Sequence, residues 1–144
     1  MILILVILID QASKYFVYRK MALGTSHPVL PGWLHITHHN NTGAAFGLFE
    51  GNAPILILIS FFFIVFLITY LCLRRGSPLK RASLVLILGG AIGNTIDRLS
   101  RGYVVDFIDL RVWPIFNVAD MAISVGVGIL LGIMILGRLQ HANR

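Results

Sequence analysis

The chain has 144 residues, of which 57% are hydrophobic and only 12% are charged, and its mean hydropathy is +0.85. This composition excludes an ordinary soluble domain and predicts an all-α integral membrane protein that forms a single domain over residues 1–144. The net charge of +6 does not predict a nucleic-acid partner, because the basic residues flank apolar spans.

Four membrane spans are predicted in chain order. The first covers about residues 1–20; no basic residue precedes it, so we expect it to continue a longer native helix, not to be a cleavable signal peptide. The second, residues 53–73, contains no charge and is long enough to cross a hydrocarbon core of about 30 Å. The third and fourth cover about residues 82–98 and 119–138, and each has Lys or Arg at one end.

The basic residues predict the orientation of these spans. The loop between the second and third spans contains Arg74, Arg75, Lys80 and Arg81, and the chain ends with Arg138 and Arg144. By the positive-inside rule, this loop and both termini are cytoplasmic, and residues 21–52 and 99–118 face outward. The first outer segment mixes aromatic residues with Gly, Pro and Asn, which predicts short strands and turns.

Polar residues are expected to converge at the outer ends of the third and fourth spans. The chain path brings together Asn94, Asp97, Asp106, Asp109, Asn117 and Asp120, with Asp10 somewhat deeper. Asp106 is predicted to lie in the loop between the two spans, and Asn117 and Asp120 on one face of the fourth helix. Structural uses remain open: Asn117 could cap that helix, and Asp97 could pair with Arg98 or Arg101.

Asp106 and Asp120 are the strongest candidates for chemistry, since neither has an adjacent base and both lie between apolar segments. Two neighbouring carboxylates cannot easily both ionise, so such a pair shares one proton. One member can then act as general base on water while the other acts as acid. This arrangement hydrolyses a peptide bond without a metal or cofactor. Asp10, Asp97 and Asp109 are interpreted as structural.

Other patterns are less specific. His35, His38 and His39 have a spacing that is poorly diagnostic of a metal site, and no metal is predicted. A serine–lysine pair would need Ser100 near Lys14 or Lys20, which nothing in the spacing supports. Cys72 is interpreted as a packing or lipid-facing residue. The glycines of the third span are expected to allow close helix packing; they are Gly89, Gly90 and Gly93.

Two further functional classes stay open. A metal-dependent lipid-phosphate transferase would also gather aspartates at a membrane face. A proton-coupled transporter would use Asp10 and Asp97, although the inner halves of the later spans contain almost no polar groups.

Five motifs in order resemble those of bacterial lipoprotein signal peptidase, also called signal peptidase II. They are "DQASK", "NTGAAFG", "GGAIGNTIDR", "VVDFID" and "FNVAD", and they extend from residue 10 to residue 120. The resemblance implies a four-helix aspartic peptidase of the bacterial inner membrane. Such an enzyme cuts prolipoproteins before a lipid-modified cysteine. It also implies a small outer-face sheet in the first outer segment.

The resemblance further assigns residues and partners. It implies that Asp106 and Asp120 are the catalytic dyad at the outer face. The residues that position dyad and substrate would be Asn41, Asn94, Asp97, Arg98 and Asn117, and those that support the fold would be Asp10, Lys14 and Gly43. Expected partners are prolipoprotein substrates, membrane lipids and the antibiotic globomycin, and the chain is expected to be a monomer.

Overall fold

The computed structural model describes residues 1–43 and 49–142, with side chains up to residue 138. Part of the predicted "NTGAAFG" motif, residues 44–47, and Arg144 therefore lie outside the described residues. The helices are α1 (Ile2–Lys20), α2 (Ala53–Leu73), α3 (Pro78–Arg101) and α4 (Val118–Ala142), and the strands are β1 (Ser26–Leu30), β2 (Leu34–Asn41) and β3 (Val104–Asp109). The protein is therefore mostly helical with a small sheet.

Three of the helices are long and apolar enough to cross a membrane in the described part of the chain. They are Ala53–Leu73, Pro78–Arg101 and Val118–Arg138. The first helix, α1, is not among them, because Asp10 and Lys14 interrupt its apolar run and Arg19 and Lys20 end it. Only one stripe of α1 is buried, formed by Asp10, Lys14 and Val17 at helical spacing.

The central helix, α3, packs against the other three helices. Glycines make this close approach possible. A Cβ on Gly93 would lie 2.6 Å from Asp10 Oδ2, and a Cβ on Gly90 would overlap the carbonyl oxygen of Ala119. The predicted use of these glycines in helix packing is confirmed.

The bounds of α3 extend beyond the predicted span of about residues 82–98. Ser77 caps its start by accepting a hydrogen bond from the N–H of Lys80, and Pro78 occupies the first turn, where a missing N–H costs nothing. At its end, Gly102 has a φ of 81°, which is the left-handed conformation that terminates many helices. Capping chemistry, not hydropathy, sets these two bounds.

The three strands form one antiparallel sheet in the order β1-β2-β3. The strands predicted in the first outer segment are confirmed as β1 and β2. The prediction that Asp106 lies in a loop is wrong, because residues 104–109 form a strand. This stretch, VVDFID, is rich in the β-branched and aromatic residues that favour strands, and its backbone groups pair with β2 instead of remaining in a loop.

The two faces of β3 have different neighbours. Val105 and Phe107 pack against Val17 of α1, whereas Val104 and Asp106 line a cleft on the opposite face. After β3 the chain turns back, and Phe116 forms backbone hydrogen bonds with Ile108 at 2.8 and 3.1 Å. This return brings the start of α4 beside Asp106.

Candidate active site

Asp106 is fixed by the register of the sheet. His39 lies directly opposite Asp106, and Asn41 lies opposite Val104, so Asn41 and Asp106 are diagonal neighbours on one face. Asn41 Nδ2 donates to Asp106 Oδ2 at 2.8 Å. Asn117 Nδ2 donates to the other oxygen, Oδ1, at 2.6 Å. Asp106 is almost fully buried, with 1% of its surface exposed.

Asp120 is fixed by the start of α4. Asn117 Oδ1 accepts the N–H of Asp120 at 3.0 Å, and Asp120 Oδ2 accepts the N–H of Asn117 at 3.2 Å. This reciprocal pair is a capping box, so the predicted helix cap at Asn117 is confirmed. Asn94 Nδ2 donates to the remaining oxygen, Asp120 Oδ1, at 2.8 Å. Asn117 therefore contacts both aspartates, which we call the candidate pair.

The orientation of each amide is determined by a partner that can only donate. Asn41 Oδ1 accepts the N–H of Gly43, and Asn94 Oδ1 accepts from the ammonium of Lys14 at 2.8 Å. Asn117 Oδ1 accepts a backbone N–H in the same way. Since the oxygens are committed, all three amide NH₂ groups must point at the carboxylates.

A buried ionic cluster lies behind the candidate pair. Lys14 Nζ is 2.9 Å from Asp10 Oδ2 and 3.1 Å from Asp97 Oδ2, and all three side chains are fully buried. Asp97 also pairs with Arg101 at 2.5 Å, a pairing that the sequence allowed. Because Lys14 also holds Asn94, this cluster is connected to Asp120 through a single amide.

The same carboxylates hold the backbone beside the candidate pair. Asp97 Oδ2 accepts the N–H of Val105 at 3.2 Å, and Asp10 Oδ1 accepts the N–H of Ala119 at 2.8 Å. Asp97 and Asp10 therefore fix the backbone of the residues that immediately precede Asp106 and Asp120.

Arg98 connects α3 to the segment that follows β2. Its Nη2 donates to the carbonyl oxygen of Gly43 at 2.9 Å, while the N–H of Gly43 donates to Asn41 Oδ1 at 3.0 Å. Arg98 and Gly43 thus position Asn41, which in turn contacts Asp106.

The candidate pair lines a cleft of about 600 Å³ between the sheet, α3 and α4. One wall is formed by residues 113–116, which are Trp, Pro, Ile and Phe, together with Ile123 of α4. The other side is polar and contains Asn41, Asn94 and Arg98. The cleft therefore presents two carboxylates to a ligand that has both apolar and polar parts.

Asp106 lies outside the membrane-spanning helices and has an altered proton affinity. Burial raises its pKa, and the nearby charge of Asp120 raises it further, to about 7. The hydrogen bonds from Asn41 and Asn117 oppose this shift without cancelling it. A pKa in this range is suited to general acid–base chemistry at neutral pH.

Asp109 does not join the candidate pair. It is three positions from Asp106 and so projects from the other face of β3, where Thr37 Oγ1 donates to it at 2.8 Å. Burial alone would raise the pKa of Asp109, but the hydrogen bonds from Arg111 N–H and Thr37, with the charge of Arg111, hold that pKa below its ordinary value. Its interpretation as a structural residue agrees with this geometry.

The histidines and the serine considered in the sequence have contacts unrelated to metal binding or to a serine–lysine pair. His38 is buried with Nδ1 2.9 Å from the carbonyl oxygen of Met21, and His35 Nδ1 accepts from Arg111 Nε at 3.2 Å. Ser100 Oγ donates to the carbonyl oxygen of Asp97 and not to a lysine. Among the described residues, no group of three His, Cys, Asp or Glu side chains could hold a metal ion.

Sequence reasoning missed several residues around the site. Gln11 Nε2 donates to Asp10 Oδ2 and to the carbonyl oxygen of Gly93, both at 3.1 Å, and so joins α1 to α3. Trp113, His39 and Glu50 line the cleft. The position of Gln11 within "DQASK" was a signal for the first contact. The cleft residues depend on the register of the sheet, which a single sequence does not reveal.

Comparisons with known proteins agree with this geometry. The lipoprotein signal peptidase of Moorella thermoacetica is 48% identical over 128 residues, which cover 88% of this chain and 85% of that protein. The lipoprotein signal peptidase of Halothermothrix orenii is 42% identical over 130 residues, which cover 90% of each chain. A solved structure described as a bacterial membrane enzyme at 2.3 Å resolution is 33% identical and has a TM-score of 0.89, covering 93% of this chain and 85% of its own.

The profile of the family described as Signal peptidase (SPase) II matches residues 2–136, a range that contains every site residue from Asp10 to Asp120. This match covers nearly the whole chain and agrees with the relatives and the solved structure. The chain belongs to the signal peptidase II family.

Proposed function

We propose that Asp106 and Asp120 are the catalytic pair with which this signal peptidase II removes signal peptides from prolipoproteins. Membership of the family makes the chain an aspartic-type enzyme and a multi-pass protein of the bacterial inner membrane. The observation that carries the assignment is that Asn117 hydrogen-bonds both carboxylates at one side of the cleft. We place the scissile bond, just before the lipid-modified cysteine, between these two side chains.

The proposed reaction uses one shared proton. Asp106 holds it, because burial and the charge of Asp120 raise its pKa to about 7. Asp120 accepts a proton from water as the water oxygen attacks the carbonyl carbon, while Asp106 donates its proton to the carbonyl oxygen. The C–N bond then breaks as Asp120 returns a proton to the amine and Asp106 recovers one from the hydroxyl.

The side-chain amides hold the two carboxylates in position for these proton transfers. We assign Asn41, Asn94 and Asn117 as positioning residues, because each directs an NH₂ group at Asp106 or Asp120. Behind them, Asp97 and Arg98 position the strand and the segment that holds Asn41. Asp10, Lys14 and Gly43 support this arrangement.

The finer topology is also a proposal. We infer four spans, with α1 as the first, because its buried stripe packs on α3 and its outer surface is apolar and exposed. Both termini are then cytoplasmic, and the catalytic pair faces the outer side. A lipid-anchored substrate could reach the pair while its acyl chains remain in the bilayer.

The proposed partners follow from the cleft. Its apolar wall suits the lipid-modified end of a prolipoprotein, and we expect globomycin to occupy the same cleft beside the pair. Because all the assigned residues come from one chain, we expect a monomer that forms a single peptidase domain over residues 1–144.

The decisive experiment is a gel-shift assay on a diacylglyceryl-modified prolipoprotein. Asp106→Asn and Asp120→Asn are expected to abolish cleavage, whereas Asp109→Asn, on the other face of β3, retains most of it. Cleavage at the wild-type rate in either of the first two variants would refute the assignment. Globomycin is expected to block the wild-type reaction.

The alternative functions have separate tests. Activity is expected to persist in EDTA, and loss that a divalent ion restores would favour a metal enzyme. The transporter alternative gains no support from Asp10 and Asp97, because both carboxylates are engaged by Lys14 and by backbone N–H groups.

A further inference from the structure

A second recess lies at the end of the bundle opposite the candidate pair. It is a groove of about 240 Å³ between α2, α3 and α4, which we call the basic-end groove. Its lining residues are Phe66, Leu67, Tyr70, Lys80, Leu84, Leu130, Ile133 and Met134. Lys80 and Asn94 are separated by about 21 Å along α3, so the groove is distinct from the cleft.

Lys80 is the charged residue of this groove. Its Nζ donates to the hydroxyl of Tyr70 at 2.8 Å and lies 5.3 Å from the centre of the Tyr70 ring. This contact uses one of the three protons of the ammonium group. The hydrogen bond to Tyr70 places the Lys80 ammonium group at the edge of an otherwise apolar groove.

Among the described residues, the charged groups at this end of the bundle are positive. Within the described ranges, none of the ion pairs formed by carboxylates includes Lys80. All six acidic residues of the sequence belong to the half of the molecule that contains the candidate pair. Arg81, the next residue of α3, donates to the carbonyl oxygens of Leu71 and Arg74 at the end of α2, so a second cation lies at this end of the bundle. The first turn of α3 has no acidic residue, so the helix dipole adds to the same positive potential.

We propose that the basic-end groove binds an anionic phospholipid, with its phosphate at Lys80 and one acyl chain between α2 and α4. Basic pockets between transmembrane helices are suited to anionic headgroups. A zwitterionic lipid would fill the apolar groove and bring a phosphate to Lys80, but its cationic headgroup would offset the charge of that phosphate. A free phosphate would meet Lys80 but leave the apolar walls unfilled. The inference does not depend on the peptidase assignment.

The test uses the delipidated full chain in detergent and two lipids with identical tails, phosphatidylglycerol and phosphatidylcholine. Native mass spectrometry measures how much of each lipid the protein retains from an equimolar mixture. The wild type is expected to retain phosphatidylglycerol over phosphatidylcholine by about fivefold, the effect of one lysine near an anionic headgroup. Lys80→Gln is expected to bring this ratio close to one.

The matched control is Arg75→Gln. It removes the same charge from an exposed position at the same end of the molecule, but Arg75 does not line the groove. This variant is expected to keep most of the preference. Equal losses in the two variants would show a diffuse surface charge and overturn the site.

Two further results would also overturn the proposal. No lipid preference in the wild type would overturn the proposal, as would displacement of phosphatidylglycerol by inorganic phosphate at comparable concentration. Far-UV circular dichroism checks that each variant is folded. If Lys80→Gln fails to fold, Lys80→Arg carries the test, and it is expected to retain the preference because it keeps the charge.

Discussion

Asp10 and Asp97 share one ammonium group, that of Lys14, and each accepts the backbone N–H of the residue before a candidate catalytic aspartate. Asp10 lies on α1 and holds the start of α4, whereas Asp97 lies on α3 and holds β3. One buried cation therefore links the four elements that determine the separation of Asp106 and Asp120.

Removing that cation is expected to destabilise the fold strongly. Lys14→Met leaves the buried Asp10 without its counter-charge and leaves Asp97 with Arg101 alone, and breaking a buried pair in this way costs about 3–5 kcal/mol of unfolding free energy. Thermal unfolding in detergent measures the effect. Lys20→Met, at the exposed end of α1, is the control and is expected to change the stability by less than about 0.5 kcal/mol. Similar midpoints for the two variants would contradict the structural role.

Asn117 caps α4 and donates a hydrogen bond to Asp106, and different substitutions separate these two roles. Serine at this position can still accept the N–H of Asp120, so Asn117→Ser is expected to keep the helix cap. It loses the Nδ2 donor to Asp106, and we expect cleavage to fall at least about tenfold, because a buried carboxyl group then lacks one of its two amide partners.

Asn117→Ala completes this comparison, because it loses the cap as well and should unfold with about 1 kcal/mol less free energy than the serine variant. Cleavage rates and unfolding midpoints are measured on the same preparations. A serine variant with the wild-type rate would show that the Asn117–Asp106 contact is not needed.

The glycine contacts of α3 predict a position-specific effect of alanine. Gly93→Ala would place a methyl group 2.6 Å from Asp10 Oδ2, so it is expected to destabilise the protein by about 1–3 kcal/mol. Gly128→Ala is the matched control, because no heavy atom lies within 4 Å of its Cβ position. There alanine is expected to be neutral or to stabilise α4 by up to about 1 kcal/mol. Equal effects at both positions would argue against close packing at Gly93.

Cleavage is expected to depend on the protonation of Asp106. Its pKa is raised to about 7, so the acid form that the mechanism requires is lost as the pH rises through that value. The pH–rate profile should therefore fall on its alkaline side near pH 7. Asp120→Asn removes one of the two causes that raise this pKa, and infrared titration of the Asp106 carboxyl should then show a lower value than in the wild type.

The same shift has a consequence for stability. The folded state binds the Asp106 proton more tightly than the unfolded state, so this group's contribution to stability is full below about pH 4 and is lost as the pH rises to about 7. Asp106→Asn should abolish this part of the pH dependence. An unchanged dependence in that variant would assign it to another group.

Hydropathy and helix chemistry predicted much of the fold. The predicted bounds of the second span, residues 53–73, coincide with α2, because the run contains no charge to shift its ends. The bounds of α3 were predicted too short, since Ser77 and Gly102 act through capping, which a hydropathy pattern does not register. The strand at Asp106 was missed because its pairing partner, β2, lies more than sixty residues earlier.

The sequence indicates which residues to consider for the site better than it indicates which of them form hydrogen bonds with one another. The motifs named Asp106, Asp120 and the three asparagines, but nothing in a single sequence indicates that Asn41 bonds Asp106, which depends on strand register. The connection from Lys14 through Asn94 to Asp120 likewise requires three helices to pack together. Long-range packing, not local pattern, determines these distances.

The buried stripe of α1 also bears on how the protein is made. In the proposed topology α1 is the first helix to reach the membrane, and an isolated Asp or Lys at the centre of a helix costs about 2.5–3.5 kcal/mol on insertion. The partner of Lys14 within α1, Asp10, offsets part of this cost, but Asp97 is synthesised more than eighty residues later. The emerging α1 is therefore expected to remain at the interface or beside the insertion machinery until α3 arrives, so that assembly, and not hydropathy alone, completes its insertion.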